Sequence, residues 1–241
     1  MAINGHNQRE IKGDKMNIVY SSSRSLYPYL NASIKSLIEH NKVDKLYILA
    51  QDDEVPVDAP HEVINVSEQK YFQEGGPNRG PNNYFTIMSM IRCTIPELID
   101  EDKVICLDVD LIICDSLLPI WEIDLTGKWL AWCPETWGHW SPYGTQYHNF
   151  GVSVMNLKQM RQDKLVPKMV EELNTTYYRF PEQDLYNQLA VPDMSVDIPV
   201  RYNECFCCGY TDNPAIIHFA GYADWYKNNG LYRREYLTKY L

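Results

Sequence analysis

The 241-residue sequence has no run of about 18 consecutive apolar residues, the length a membrane-spanning helix needs, so a helical span is excluded. Its opening stretch, "MAINGHNQREIKGDK", lacks the apolar core of a signal peptide. The two absences together lead to the expectation of a cytoplasmic protein. Positive charge is also scarce: 22 Lys+Arg stand against 32 Asp+Glu, a net charge of −10. Nucleic-acid backbones bind to basic surface, so nucleic acid is excluded as a general partner, and a phosphate-bearing ligand would need a local cation to offset its charge. Among the seven cysteines, Cys205, Cys207 and Cys208 cluster, but no second C-x-x-C and no nearby His pair completes a zinc site. A structural role is expected for them. Cys93, Cys106, Cys114 and Cys133 lie in apolar surroundings, where a reduced thiol acts as a small hydrophobe. Internal repeats and low-complexity segments are absent.

What remains is an ordinary globular composition, 45% hydrophobic and 22% charged, in a chain long enough for one large α/β domain. Residues 1–15 are polar and aperiodic and are expected to be a flexible N-terminal extension, with the folded domain at 16–241. "NIVY" reads as a strand, and "YLNASIKSLIEHN" places Leu30, Ile34, Leu37 and Ile38 at helical spacing. "KLYILA" and "HEVINV" read as strands, and "EGGPNRGPNN" as a loop. Tyr84, Ile87, Met88 and Ile91 then mark a helix running to about Pro96. "WLAWC" and "FGVSVMNL" are further strands, residues 157–173 one amphipathic stretch, "PEQDLYNQL" a helix, and "AIIHFAG" a last strand. Strand and helix alternating in the first half imply a parallel sheet covered on both sides, whose ligands bind beyond the carboxyl ends of its strands.

The run "VICLDVDLIICD", residues 104–115, is the exception inside this pattern. It reads as a strand buried on both faces, yet it carries Asp108 and Asp110, and burying an ionised carboxylate costs several kcal/mol unless it is paired or binds a metal. Two residues apart in an extended chain, the two side chains share a face and aim at one partner. Mg²⁺ or Mn²⁺, held by one or two carboxylates plus substrate phosphates, fits that description, while a strand that simply ends at Asp108 is the plain alternative.

The order "RCTIPELIDEDKVICLDVDLIICDSLLPIWEIDL", "HNFGVSVMNL", "EQDLYNQ", "IIHFAG" closely resembles the family-eight retaining glycosyltransferases, the glycogenin and bacterial lipopolysaccharide galactosyltransferase group. The likeness spans most of residues 16–226. It implies a single GT-A-type, Rossmann-like α/β domain with a mixed, mainly parallel central sheet. It also implies Mn²⁺ (or Mg²⁺) as cofactor, a UDP-sugar donor with galactose or glucose expected, and a glycan, lipid-linked or protein acceptor, as in polysaccharide or lipopolysaccharide biosynthesis. Asp108, Asp110 and His218 match the metal ligands, and Val109 lies within that motif. Arg92 matches a donor-contacting arginine, whose plain alternative is a surface cation on an amphipathic helix. Asn149 and Gly151 match the Asn-x-Gly of the donor-sugar site, where the glycine serves a close approach or a β-bulge. Glu182, Gln183 and Asp184 match the Asp-Gln-Asp beneath the transferred sugar and are the candidate catalytic residues, an acidic helix start being the alternative. Gly221 matches a glycine near the diphosphate.

Two departures stand out. Where the family has a lysine on the leaving diphosphate, this chain has Asp224, with Lys227 and Arg79 as candidate replacements. Ser23 and Leu26 stand where the family has its nucleotide-contacting Asp and Tyr. The first departure keeps open a degenerate protein that binds a sugar nucleotide or glycan without turnover. An aspartate-nucleophile phosphatase, which would need Thr or Val where Ile112 stands, ranks below both. The loop 134–148, with Trp137, Trp140, Tyr143 and Tyr147, is the candidate acceptor site or a hydrophobic cover over the sheet. The tail "LYRREYLTKYL" reads as a peripheral membrane contact or a terminal helix packed on the domain.

Overall fold

The computed structural model describes residues 16–79, 87–136, 146–220 and 232–241. Its strands are β1 (Met16–Ser21), β2 (Val43–Ala50), β3 (Glu62–Asn65), β4 (Lys103–Leu107), β5 (Leu111–Ile113), β6 (Leu130–Pro134), β7 (His148–Asn156), β8 (Ser195–Asp197) and β9 (Ile216–His218). Its helices are α1 (Tyr27–His40), α2 (Ile87–Met90), α3 (Ile95–Leu98), α4 (Leu118–Trp121), α5 (Leu157–Gln162), α6 (Leu165–Thr175), α7 (Pro181–Ala190) and α8 (Arg234–Tyr240). The main sheet has the order β3-β2-β1-β4-β7-β6-β8. β3, β2, β1 and β4 run parallel, and β7 runs antiparallel to β4 and β6. A second, two-stranded sheet pairs β5 with β9.

Period-2 alternation divides the central strands between two cores. Ile18, Tyr20, Ile48, Ile105 and Leu107 share one core with Leu30, Ile34 and Leu37, which recur at i, i+4 and i+7 along α1. Val19, Leu49, Val104 and Cys106 share the other with Met90, Ile91, Met160, Met169 and Leu185 from the helices of the opposite layer. Each fully buried aliphatic side chain contributes about 1.5–3 kcal/mol, so the sandwich is held from both faces.

Three elements differ from the sequence reading. The expected helix ending near Pro96 is described from Ile87 and tightens to a 3₁₀ turn over Ile91–Thr94 before α3. Pro96 has no N–H to donate to the Arg92 carbonyl in an α-helical bond, so the preceding turn rewinds. The single amphipathic stretch 157–173 is two helices, broken at Lys164 with φ 51°. Pro167, in the first turn of α6, would clash with the Asp163 carbonyl in a continuous helix. The strand 104–115 is likewise two strands, β4 and β5, in different sheets. The tail forms α8: Leu237 packs with Ala32, Ile112, Ile217 and Phe219, and Lys239 and Tyr240 both bond Glu39 of α1.

Candidate functional site

The Asp-x-Asp marks the place where the chain changes sheets. Asp108 N donates to Gly151 O at 2.8 Å, the last rung of the β4–β7 ladder, and Phe219 N donates to Asp110 O at 2.9 Å, continuing the β5–β9 ladder. Val109 between them is buried and packs in the α1-side core. The β5–β9 register sets His218 opposite Leu111, next to Asp110. The aspartates therefore meet through a break between two strands rather than along one.

The ligand atoms of Asp108, Asp110 and His218 all lie within 4.8 Å of one another. His218 Nε2 is 3.3 Å from Asp110 Oδ1 and 3.7 Å from Asp108 Oδ2. Burial alone would push the imidazole pKa down, but the facing Asp110 carboxylate and the Cys205 thiol more than reverse this and hold it well above its ordinary value. Burial raises Asp108 despite the Arg92 charge beside it. Two carboxylates and an imidazole converging on one point form a donor set that fits a divalent cation such as Mn²⁺. Gly151 lies against two of these candidate ligands and beside a slip in strand register. A Cβ there would come within 2.3 Å of His218 Cε1 and 2.8 Å of Asp108 Oδ2, and the β6–β7 register slips between Trp132↔Ser153 and Cys133↔Asn149.

Arg92 is not a surface cation. It is 7% exposed, bonds Asp108 through Nη1 and Glu182 through Nη2, and lies 4.9 Å over the Phe150 ring. The 3₁₀ turn forced by Pro96 carries it. Of the three candidates at the start of α7, Glu182 is buried against Arg92, and Asp184 is buried and accepts from Tyr147 Oη and from Phe180 N at 3.0 Å. Gln183 alone is half-buried, and its Oε1 accepts from Phe150 N at 3.0 Å. Its Nε2 donates to Tyr147 Oη at 3.1 Å and Glu135 Oε1 at 3.4 Å.

Tyr147 is thus not a surface group of an acceptor loop: it is 6% exposed and committed to Asp184 and Gln183. Trp137, Trp140, Tyr143, Gly221, Asp224 and Lys227 lie outside the described residues. Arg79 donates from Nη1 to Phe72 O at 3.2 Å. Ser23 lies just beyond β1 with its hydroxyl 3.3 Å from that of Ser25, in the region where Arg24, Tyr27, Asp52 and Asn65 line a cleft of about 700 Å³. The seven cysteines are free thiols. Two residues of the site escaped the sequence reading. Glu135, which bonds Asn149 and Gln183, sits among the aromatics of its loop; Asn203, which bonds His218, lies in a stretch with no motif spacing to reveal it.

The glycosyl transferase family 8 model matches residues 17–227. The chain belongs to that family. Among curated family relatives it is 29% identical to glycosyltransferase GlyD of Streptococcus pneumoniae over 237 residues, 85% of this chain and 28% of GlyD. It is 26% identical to GlyE of the same organism over 214 residues, 83% of this chain and 50% of GlyE. The chain thus spans half or less of the length of either relative. Its fold resembles galactosyltransferase LgtC, solved in complex with donor and acceptor sugar analogs, with a TM-score of 0.70 at 20% identity, covering 93% of this chain and 94% of that one. The solved GlyE structure matches with a TM-score of 0.70 at 22% identity, over 94% of this chain and 60% of that chain. The mixed, mainly parallel sheet is the GT-A arrangement expected of family 8.

Proposed function

We propose that the chain is a metal-dependent, retaining hexosyltransferase that moves a sugar, galactose or glucose, from a UDP-sugar to a glycan, lipid-linked or protein acceptor. The observation that carries this reading is the convergence of the Asp108, Asp110 and His218 ligand atoms within 4.8 Å at the carboxyl end of β4. Bound there, Mn²⁺ or Mg²⁺ would offset charge developing on a departing diphosphate. Asp108 and Asp110 would hold it from the sheet junction, and His218 from β9. Arg92 pairs with Asp108 and Glu182 together and so holds both carboxylates in place. Gln183, half-buried and locked by the Phe150 amide, would present its polar edge to the donor sugar.

The placement of the carboxylates favours attack by the acceptor from the leaving-group side. Glu182 is committed to Arg92, and Asp184 to Tyr147 and the Phe180 amide, so neither is poised as the nucleophile of a double displacement.

The test is nucleotide release from a panel of UDP-sugars with and without Mn²⁺, run beside Asp110→Asn. Mn²⁺-dependent release from one donor, lost in the variant, is the expected result. Tight UDP binding with no release, even with candidate acceptors present, would replace the transferase by a binding protein of the same fold. No UDP binding would remove the donor site altogether.

A further inference from the structure

The buried side chains behind the metal-ligand cluster form a chain whose polarity has only one solution. The Gly151 backbone N–H is a donor by necessity, and it points at Asn149 Oδ1 at 3.0 Å. The other end of that amide is therefore the NH₂, which donates to Glu135 Oε1 at 3.1 Å, a carboxylate well placed to receive it. Asn149 Oδ1 also contacts the Asn203 amide at 2.9 Å, and since an oxygen acceptor needs a donor, that atom is Asn203 Nδ2. Asn203 then turns its oxygen to His218 Nδ1, 2.7 Å away. An acceptor at that distance requires Nδ1 to carry the proton, which leaves Nε2 as the ring's metal-binding nitrogen, on the side of Asp108 and Asp110.

We infer that Asn203 and Asn149 are positioning residues that fix the tautomer and ring orientation of His218, with the sense of the whole relay set by the Gly151 N–H. The inference rests on the metal-site reading above. The three members nearest the candidate metal site are shielded from solvent: Asn203 is fully buried, His218 5% and Asn149 7% exposed. Rotating either amide would set oxygen against oxygen or N–H against N–H, so the relay keeps the one sense that the Gly151 N–H dictates. It also gives Asn149 a role toward His218, since its Oδ1 receives both Gly151 N and Asn203 Nδ2.

Groups that hold the far nitrogen of a metal-ligating histidine typically change metal affinity by about 10- to 100-fold when removed. Mn²⁺ binding to the nucleotide-free protein, followed by calorimetry and by loss of the free-ion EPR signal, is the readout, with turnover not required. Asn203→Leu, similar in size but without polar atoms, is expected to weaken Mn²⁺ by about 10- to 100-fold. Asn203→Asp keeps an acceptor on Nδ1–H but loses the donor to Asn149 Oδ1, so its Mn²⁺ affinity is expected to fall between those of the parent protein and the Leu variant. A second measurement needs no variant. In ¹⁵N-imidazole spectra of the Mg²⁺-loaded parent protein, His218 is expected to show Nδ1 protonated and Nε2 bare of hydrogen. Equal Mn²⁺ affinity in the parent and the Leu variant, or a His218 Nδ1 without a proton, overturns the inference while the metal site stands. Failure of the parent protein to bind Mn²⁺ at all instead overturns the metal-site reading on which it rests.

Discussion

Asp108 and Gly151 face each other across the end of the main sheet: the aspartate N–H donates to the glycine carbonyl at 2.8 Å, and the aspartate Oδ2 lies in the space that a side chain on Gly151 would fill. One backbone bond thus fixes the first carboxylate of the candidate metal site, and one missing Cβ makes room for it.

Gly151→Ala is therefore expected to keep the fold but damage the site. A methyl group 2.3 Å from His218 Cε1 and 2.8 Å from Asp108 Oδ2 has to displace one or both, since the contact is far inside van der Waals distance. Overpacking of this kind costs about 1–3 kcal/mol. Thermal unfolding should show that loss, and Mn²⁺ binding should weaken more than the stability change alone would produce. Parent-like Mn²⁺ binding would show that the backbone yields instead.

Arg92 pairs with two carboxylates at once, the half-buried Asp108 and the buried Glu182. Arg92→Leu leaves Asp108 and Glu182 close together without their counter-charge, and removing one partner of a buried ion pair costs about 3–5 kcal/mol. Adding Glu182→Leu should recover part of that loss, because the orphaned charge goes with it. Urea denaturation of the two single variants and the double variant measures this; strictly additive destabilisation would mean that the two side chains are not coupled.

Tyr186 is fully buried between Phe150 and Trp132, and its hydroxyl has no hydrogen-bond partner among the described residues. A buried hydroxyl without a partner opposes folding by its desolvation, and burial accordingly drives its pKa well up. Tyr186→Phe keeps the ring stack, at 4.7 Å between centroids with Phe150, and is expected to be neutral or to stabilise by up to about 1 kcal/mol. A clear fall in melting temperature would reveal a bond that the hydroxyl makes in solution.

On the opposite edge, hydrogen bonds from Arg24 and Tyr27 lower the Asp52 pKa from 3.8 to about 2. Because the folded value lies below the unfolded one, the carboxylate's contribution is present above pH 3.8 and is lost as pH falls toward about 2. Asp52→Asn should flatten the stability curve between those limits and leave it unchanged in shape near neutrality. Both ends of the pair reach solvent, so raising the salt concentration should shrink the difference. Acid titrations followed by circular dichroism at low and high salt check both points.

Much of this protein was written in local pattern. The apolar strands β1, β2, β4 and β7, the i, i+4, i+7 face of α1 and the acidic opening of α7 could be read because each is a periodicity or a composition within one segment. Asp108 and Asp110 stood out in the same way, as charge inside an apolar run, whereas His218 was singled out as a candidate ligand by family resemblance. Family resemblance pointed to Arg92 and Gln183, and the structure gave them their partners. What only the tertiary structure decided is how those pieces face one another. Residues 104–115 look like one strand because β4 and β5 are both apolar; the break between them appears only when β7 takes the first half and β9 the second. Prolines at 96 and 167 stood in plain view, yet their effect depended on where the helices ran. Asn203 and Glu135 had no local signal, since a neutral amide or a loop carboxylate becomes part of the site only through neighbours 54 and 14 positions away. Hydrogen-bond direction belongs to the same class: the orientation of His218 is settled by a backbone N–H on another strand, which a reading along the chain does not connect to it.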